Sequence, residues 1–209
     1  MTQSAPNDSR TKLLDAALKV VRQKGYCATR VEDICAEAGL TKGGFFHYFK
    51  SKDDLALAAA AHWGAQVTAF FETAPFQKLD DPRARLLAYV DFRKSLLTGE
   101  AFEYACFDGT IVQEAHATHP ALSEACARTI NTHAQTHEAD IEAAARAYGV
   151  SVDAESLGLH IQSVVQGALI LAKANGPASG AACLNHLRRY LEMLFSEPAH
   201  KHRTRRKAA

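Results

Sequence analysis

Residues 31–55, VEDICAEAGLTKGGFFHYFKSKDDL, decide the fold of this chain. Val31, Ile34, Cys35 and Ala38 recur at helical spacing and give a first helix one apolar face. Gly39 follows where a left-handed helix stop favours glycine, and Leu40 is an apolar turn residue. Thr41 is a good N-cap for a second helix, which has room only from about Lys42 to Tyr48 before Ser51 caps the next. Two short helices around a glycine turn are the layout of a helix-turn-helix, whose second helix enters the major groove of DNA.

Gly25-Tyr26, Val31 to Gly39, Thr41-Lys42-Gly43-Gly44-Phe45-Phe46-His47-Tyr48-Phe49 and Lys50-Ser51-Lys52 together resemble the DNA-binding signature of the TetR family of repressors. The resemblance covers roughly residues 10–56 and includes both the aromatic run and the Lys-Ser-Lys that follows it. It implies that Thr29, taken as the cap of the first helix of the motif, and Arg30 lie beside DNA. It also implies that Tyr48 and Lys52 contact phosphate, an interaction that positions the protein without reading bases. Lys42 and His47 are the side chains able to donate to base edges, and Gly43 and Gly44 permit close approach of the backbone. Phe46 stands where the family has tyrosine, which removes one phosphate hydrogen bond, while Phe45 and Phe49 read as core. The DNA-facing set is therefore Thr29, Arg30, Thr41, Lys42, Gly43, Gly44, Phe46, His47, Tyr48 and Lys52.

Composition agrees with a helical regulator. The chain has 209 residues, 47% hydrophobic and 22% charged, enough for a small head and one larger domain. Net charge is only +1, but it is unevenly spread. Residues 1–55 hold nine Lys/Arg against seven Asp/Glu, residues 56–197 hold ten against sixteen, and the last twelve hold five against none. Basic charge at the two ends with an acidic middle suits a protein whose head alone meets phosphates. No apolar run approaches a membrane span, so no membrane partner is expected. The polar start MTQSAPNDSR and five single cysteines without CxxC spacing point to a cytoplasmic protein with reduced thiols.

In chain order, residues 1–9 read as a disordered arm, and Ser9 or Thr11 caps a helix running to about Lys24. Residues 10–55 form the DNA-binding domain, 56–197 a ligand-sensing and dimerisation domain, and 198–209 a basic disordered tail. A helix from Lys52 to about Thr73 connects the two domains; others follow over 83–98, Pro120–Ala147, 153–174 and 177–196. The total is about nine helices in an all-α fold. The resemblance makes the last two a four-helix interface with a second copy, and a homodimer reads a palindromic operator on double-stranded DNA.

Tyr104 to Leu122, YACFDGTIVQEAHATHPAL, resembles a branch of the family in which a short helix opens on a small residue, cysteine and an apolar residue. Some members of that branch respond to electrophiles or oxidants, so Cys106 inherits a sensing role, with Lys173 as the cation that would favour its thiolate. A buried thiol that merely packs is the alternative. Cys27, Cys35, Cys126 and Cys183 read as core. Trp63, Phe70, Phe92, Tyr104, Cys106, Phe107, His133 and Lys173 are the candidate ligand-binding residues. His116, His119, His133 and His137 raise a metal site, but no HExxH or comparable motif accompanies them, and neither metal nor cofactor is expected. Nor is there a nucleophile elbow or phosphate loop, so no catalytic residue is assigned.

The reading is a repressor released by a small-molecule effector or by modification of Cys106. An activator with the same fold and a reversible ligand is the nearest alternative. An enzyme using the His-rich pocket is a more distant one.

Overall fold

Side-chain caps start several of the helices. In the computed structural model, which describes residues 6–196, the helices are α1 (Pro6–Lys24), α2 (Val31–Ala38), α3 (Lys42–Tyr48) and α4 (Lys52–Glu72). They continue after a 3-10 turn (Pro75–Lys78) with α5 (Pro82–Ser95), α6 (Ala101–Tyr104), α7 (Phe107–Ala115) and α8 (Pro120–Gln135). The last are α9 (Glu138–Tyr148), α10 (Ala154–Asn175) and α11 (Pro177–Leu194). Thr41 Oγ1 accepts the Gly44 N–H at 3.1 Å, Ser51 Oγ accepts Asp54 N–H at 3.1 Å, and Asp81 Oδ2 accepts Ala84 N–H at 2.9 Å. Such caps satisfy amides that have no partner within the helix and contribute about 1 kcal/mol each. Gly39 closes α2 in the left-handed region at φ 66°.

Three boundaries differ from the sequence reading. First, α1 begins at Pro6 instead of after Ser9 or Thr11, so residues 6–9 of the expected arm are helical and residues 1–5 lie outside the described residues. Proline suits a first helical turn, and Asp8 pairs with Lys12 at 2.7 Å one turn on. Second, Arg30 and not Thr29 stands at the N-cap of α2. There the Asp33 carboxylate accepts the Arg30 N–H at 2.7 Å. Third, the helix expected over Pro120–Ala147 breaks at Thr136-His137; with α6 as a further short helix before Cys106, this makes eleven α-helices among the described residues instead of about nine. No glycine or proline marks that break. His137 turns inward to 4.2 Å from the Tyr89 ring, and Thr136 Oγ1 donates to the His133 carbonyl at 2.7 Å. The tail of residues 198–209 lies outside the described residues.

Two apolar clusters organise the molecule. One joins Leu13, Leu14, Leu18, Ile34, Phe45, Phe49 and Leu55 to Phe107, Ile111, Leu122 and Cys126. The head's core therefore runs on into α7 and α8, and the 55/56 boundary falls inside α4. The second cluster is built from α5, α9, α10 and α11 around Leu86, Val90, Ile141, Ile161, Val165, Leu187 and Phe195. α10 and α11 approach closely because Gly180 has no side chain. A Cβ there would lie 2.6 Å from the Ala168 carbonyl oxygen.

By length and composition α10 is, among the described residues, the one helix long and apolar enough to cross a membrane. It packs on α11, α8 and α9, however, and its face toward them carries Leu157, Gly158, Ile161, Gln162, Val165, Ala168 and Ala172.

Candidate functional site

Phe45 of α3 and Phe49 just beyond its end are buried and anchor the helix, as the apolar spacing requires. The opposite face holds Lys42, Gly43, Phe46 and His47 exposed, with Gly44 and Tyr48 half-buried. Phe46 is 55% exposed, an apolar ring in water beside the groups able to donate hydrogen bonds. His47 stacks edge-on against Tyr48 at 4.7 Å. Lys42 pairs with Glu32 of α2. That pair is solvent-exposed and worth little, so Lys42 is readily surrendered to another anion.

Two residues of the DNA-facing set are occupied otherwise. Thr29 is only 2% exposed, and its Oγ1 donates to the Gly25 carbonyl at 2.6 Å. Lys52 Nζ donates to the Tyr26 and Thr29 carbonyls, both at 3.1 Å, and lies 4.2 Å from the centre of the Tyr26 ring. Both tie down the loop that follows α1. Family signatures record which residue types recur at a position, and here those types hold the loop in place. Arg30 is exposed beside them.

A set of polar contacts supplements the apolar joint between the head and α7–α8. Glu114 Oε2 of α7 accepts the Cys27 N–H at 2.8 Å. Gly25, at φ 88°, leaves the room this carboxylate needs, since a Cβ there would sit 2.2 Å from Glu114 Oε1. Tyr26 donates to Asp53, which His119 of the α7–α8 turn approaches at 3.6 Å. Burial and the neighbouring Asp53 push the Tyr26 phenol well above its ordinary value. The guanidinium of Arg22 in α1 lies 5.0 Å over the Trp63 ring, and Lys173 Nζ donates to the Arg22 carbonyl at 3.2 Å.

Trp63 belongs at the same time to the wall of a cavity of about 400 Å³ enclosed by α4, α5, α8, α10 and the α6–α7 turn. Five expected ligand residues, Trp63, Phe70, Tyr104, Cys106 and His133, lie on that wall. Three do not. Phe107 is fully buried in the head-side cluster, Phe92 stacks behind Phe70 at 5.5 Å, and Lys173 faces a neighbouring hollow. Sequence reasoning missed the polar half of the wall: Gln66, Arg93, Glu103, Asp108, Gln162 and Gln166. The signal available was Gln162 and Gln166, two amides one turn apart in an otherwise apolar helix.

The electrostatics of the wall are unusual. Asp108 is 2% exposed, and burial raises its carboxyl to about 7 although hydrogen bonds from Cys126 and Trp63 pull the other way. Burial lowers His133 to about 3 and His137 to about 4, with Arg93 adding to both, so the two imidazoles are neutral at ordinary pH. The four histidines considered for a metal are split: His133 and His137 pack around Tyr89, while His119 sits beside Asp53 at the head. Cys106 caps α7, its Sγ accepting Gly109 N–H at 3.3 Å, as its place at a helix start anticipates. Burial and Asp108 nevertheless push its thiol up, outweighing the Gly109 and Gln166 hydrogen bonds. Lys173 is spent on the Arg22 carbonyl and does not act as the expected cation. Cys27, expected in the core, is exposed.

This geometry, a capped two-helix reader joined to a hollow helical body, defines a helix-turn-helix regulator class that known proteins share. Residues 13–59 match the family described as bacterial regulatory proteins, tetR family, and residues 82–189 match the tetracyclin repressor-like C-terminal domain. The chain belongs to the TetR family. It is 28% identical over 114 residues to the transcriptional regulator AcuR of Cereibacter sphaeroides, covering 54% of this chain and 52% of that one. The chain spans about half the length, or less, of the first curated relatives it matches. A TetR transcriptional regulator from Chloroflexus aurantiacus superposes with a TM-score of 0.78 at 26% identity, covering 89% of this chain and 95% of that one. One from Agrobacterium tumefaciens has the same TM-score at 20% identity, covering 88% and 98%, and speaks for the fold alone.

Proposed function

We propose that the chain is a cytoplasmic DNA-binding repressor that acts as a homodimer on a palindromic operator and is released by a small molecule bound in the cavity. The observation that carries this reading is the α3 face. Lys42, Phe46 and His47 are presented outward by a helix whose start is locked by Thr41 and whose back is locked by Phe45. A rigid, exposed, amide-rich helix start is what a major groove accepts. Exposed apolar residues on α10 and α11, namely Leu159, Ile170, Leu171, Tyr190 and Met193, support pairing of two copies through these helices.

Release follows from shared parts. Trp63 is wall to the cavity and seat for Arg22 of α1, and Glu103, also on the wall, gives its carbonyl to Arg22 at 3.4 Å. A ligand that displaces the indole shifts α1 and with it the spacing of the two heads. Ligand affinity then differs between DNA-competent and released conformers, which is the requirement for a population shift. Of the two triggers the sequence raises, the reversible ligand has more support, because the protonated form of Cys106 is favoured by its surroundings.

The test is a footprint of the protein on DNA flanking its own coding region, with and without a mild thiol-modifying electrophile, beside Cys106→Ser. Protection of a palindrome, indifferent to the electrophile in both proteins, is expected. Protection lost on treatment of the wild type and kept in Cys106→Ser would replace the reversible ligand by a cysteine switch. A protein that stays monomeric and protects no sequence in a genome-wide selection would overturn the repressor reading.

A further inference from the structure

We infer that the cavity takes a small apolar monocarboxylate, held by Arg93 through its carboxylate and carrying a hydrogen-bond donor for Gln162. The inference rests on the effector reading above and adds the chemical class of the ligand.

Arg93 projects from α5 into the cavity wall and is its one lysine or arginine. Its guanidinium lies over Phe71 at 4.9 Å and Tyr89 at 5.8 Å, so the aromatic floor holds it in a fixed plane. Among the described residues it has no carboxylate within ion-pair distance, although Glu103 and Asp108 line the same cavity, and its buried Nε has no hydrogen-bond partner. Arg85 pairs with Asp140, and Arg188 with Asp91 and Glu192. Arg83 of α5 shares the unpartnered Nε, but it lies over Tyr148 outside the cavity and donates to the Glu192 carbonyl. A buried donor without an acceptor is costly, and a planar guanidinium matches a planar carboxylate through two parallel hydrogen bonds.

The rest of the wall narrows the class. Trp63, Val67, Phe70, Phe71, Ile130 and Leu169 demand an apolar body. A dianion such as a phosphate ester would face one cation, the neutral imidazole of His133 and the carboxyl groups of Glu103 and Asp108, so a single negative charge fits and a double one does not. Gln162 is buried with its Oε1 unpartnered, an acceptor on α10 awaiting a donor. Because Arg93 and Gln162 sit on different helices, a ligand spanning both ties α5 to α10 across the cavity.

Trp63, the single tryptophan of the chain, makes occupancy directly measurable as a change in its fluorescence. The probes are benzoate, 3-phenylpropanoate and 4-hydroxybenzoate, each beside its primary amide and beside phenyl phosphate, titrated into the full-length protein at neutral pH. At least one acid is expected to saturate and to bind about tenfold or more tighter than its amide, as a charge-assisted pair requires, with phenyl phosphate weaker than the acid. Arg93→Gln is expected to remove the preference for acid over amide, and Arg93→Lys to keep part of it. Circular dichroism checks that each variant is folded. Should Arg93→Gln fail to fold, the Lys variant and the acid-against-amide comparison in the wild type carry the test. Equal affinity of acid and amide, or an acid preference that survives loss of the arginine, overturns the inference. Protection of DNA with no acid bound at any concentration overturns it while leaving the repressor reading in place, and no DNA protection at all fells that reading instead.

Discussion

The two apolar clusters are finished to different degrees. Around the head, Leu13, Phe45 and Leu55 are completely buried, and the polar side chains within it are spoken for. Thr29 bonds Gly25, Lys52 bonds two carbonyls, and Tyr26 bonds Asp53. Around the body the apolar wall is interrupted by Arg93, Asp108 and Gln162, each with a buried atom lacking a partner. Native interiors rarely leave such atoms unsatisfied, and when several share one cavity they describe the missing occupant. The head is built to hold one shape, and the body to be completed by something else.

That contrast can be broken by mutation. Phe45→Ala should cost about 3–5 kcal/mol, the range for emptying an aromatic site in a close-packed core, read by chemical denaturation. Phe70→Ala, at a cavity-lining ring 47% exposed, should cost about 1 kcal/mol or less. Similar losses at the two sites would erase the distinction.

Asp108 sharpens it through pH. Its folded value of about 7 lies above the ordinary 3.8, so the folded state holds an extra proton between them, and stability from this group falls as pH rises through that window. His133 and His137, lowered from 6.5 to about 3 and about 4, act oppositely: their contribution is present above pH 6.5 and lost on acidification. Removing the carboxyl with Asp108→Asn should leave stability rising more steeply between pH 4 and 7. At pH 8 the variant should exceed the wild type by an amount on the order of a few kcal/mol. Parallel stability curves for the two proteins would show that Asp108 ionises freely.

The two lysines of the head separate scaffold from reader. Lys52→Ala should lower the unfolding free energy by about 1–2 kcal/mol, because two loop carbonyls lose a charged donor. Lys42→Ala should change stability by less than about 0.5 kcal/mol and instead weaken operator binding, lowering the salt dependence by about one ion. If the effects are exchanged, the assignment of Lys52 to the loop is wrong.

Much of this was legible in the chain. Caps at Thr41, Ser51 and Asp81, and the glycine after α2, announce helix ends because each answers a local need of the backbone. The break at His137 is not local: it depends on Tyr89, 48 positions earlier in the chain, offering a ring to pack against, and no propensity records that. The loop-holding bonds of Thr29 and Lys52 escape the sequence for a related reason, since resemblance transfers residue types while packing decides which way they point. The aromatic half of the cavity could be read from large apolar residues near the connector helix. Arg93 could not, because an arginine in an amphipathic helix reads as solvated until a tertiary structure turns it inward.

The indole of Trp63 both lines the cavity and carries the Arg22 guanidinium over its ring. A lineage that reshapes this ring to suit a new ligand also alters how the head is seated. On the repressor reading, ligand preference and ease of release are then inherited together. Related regulators should diversify by changing Arg93, Gln162 and the far wall while sparing position 63.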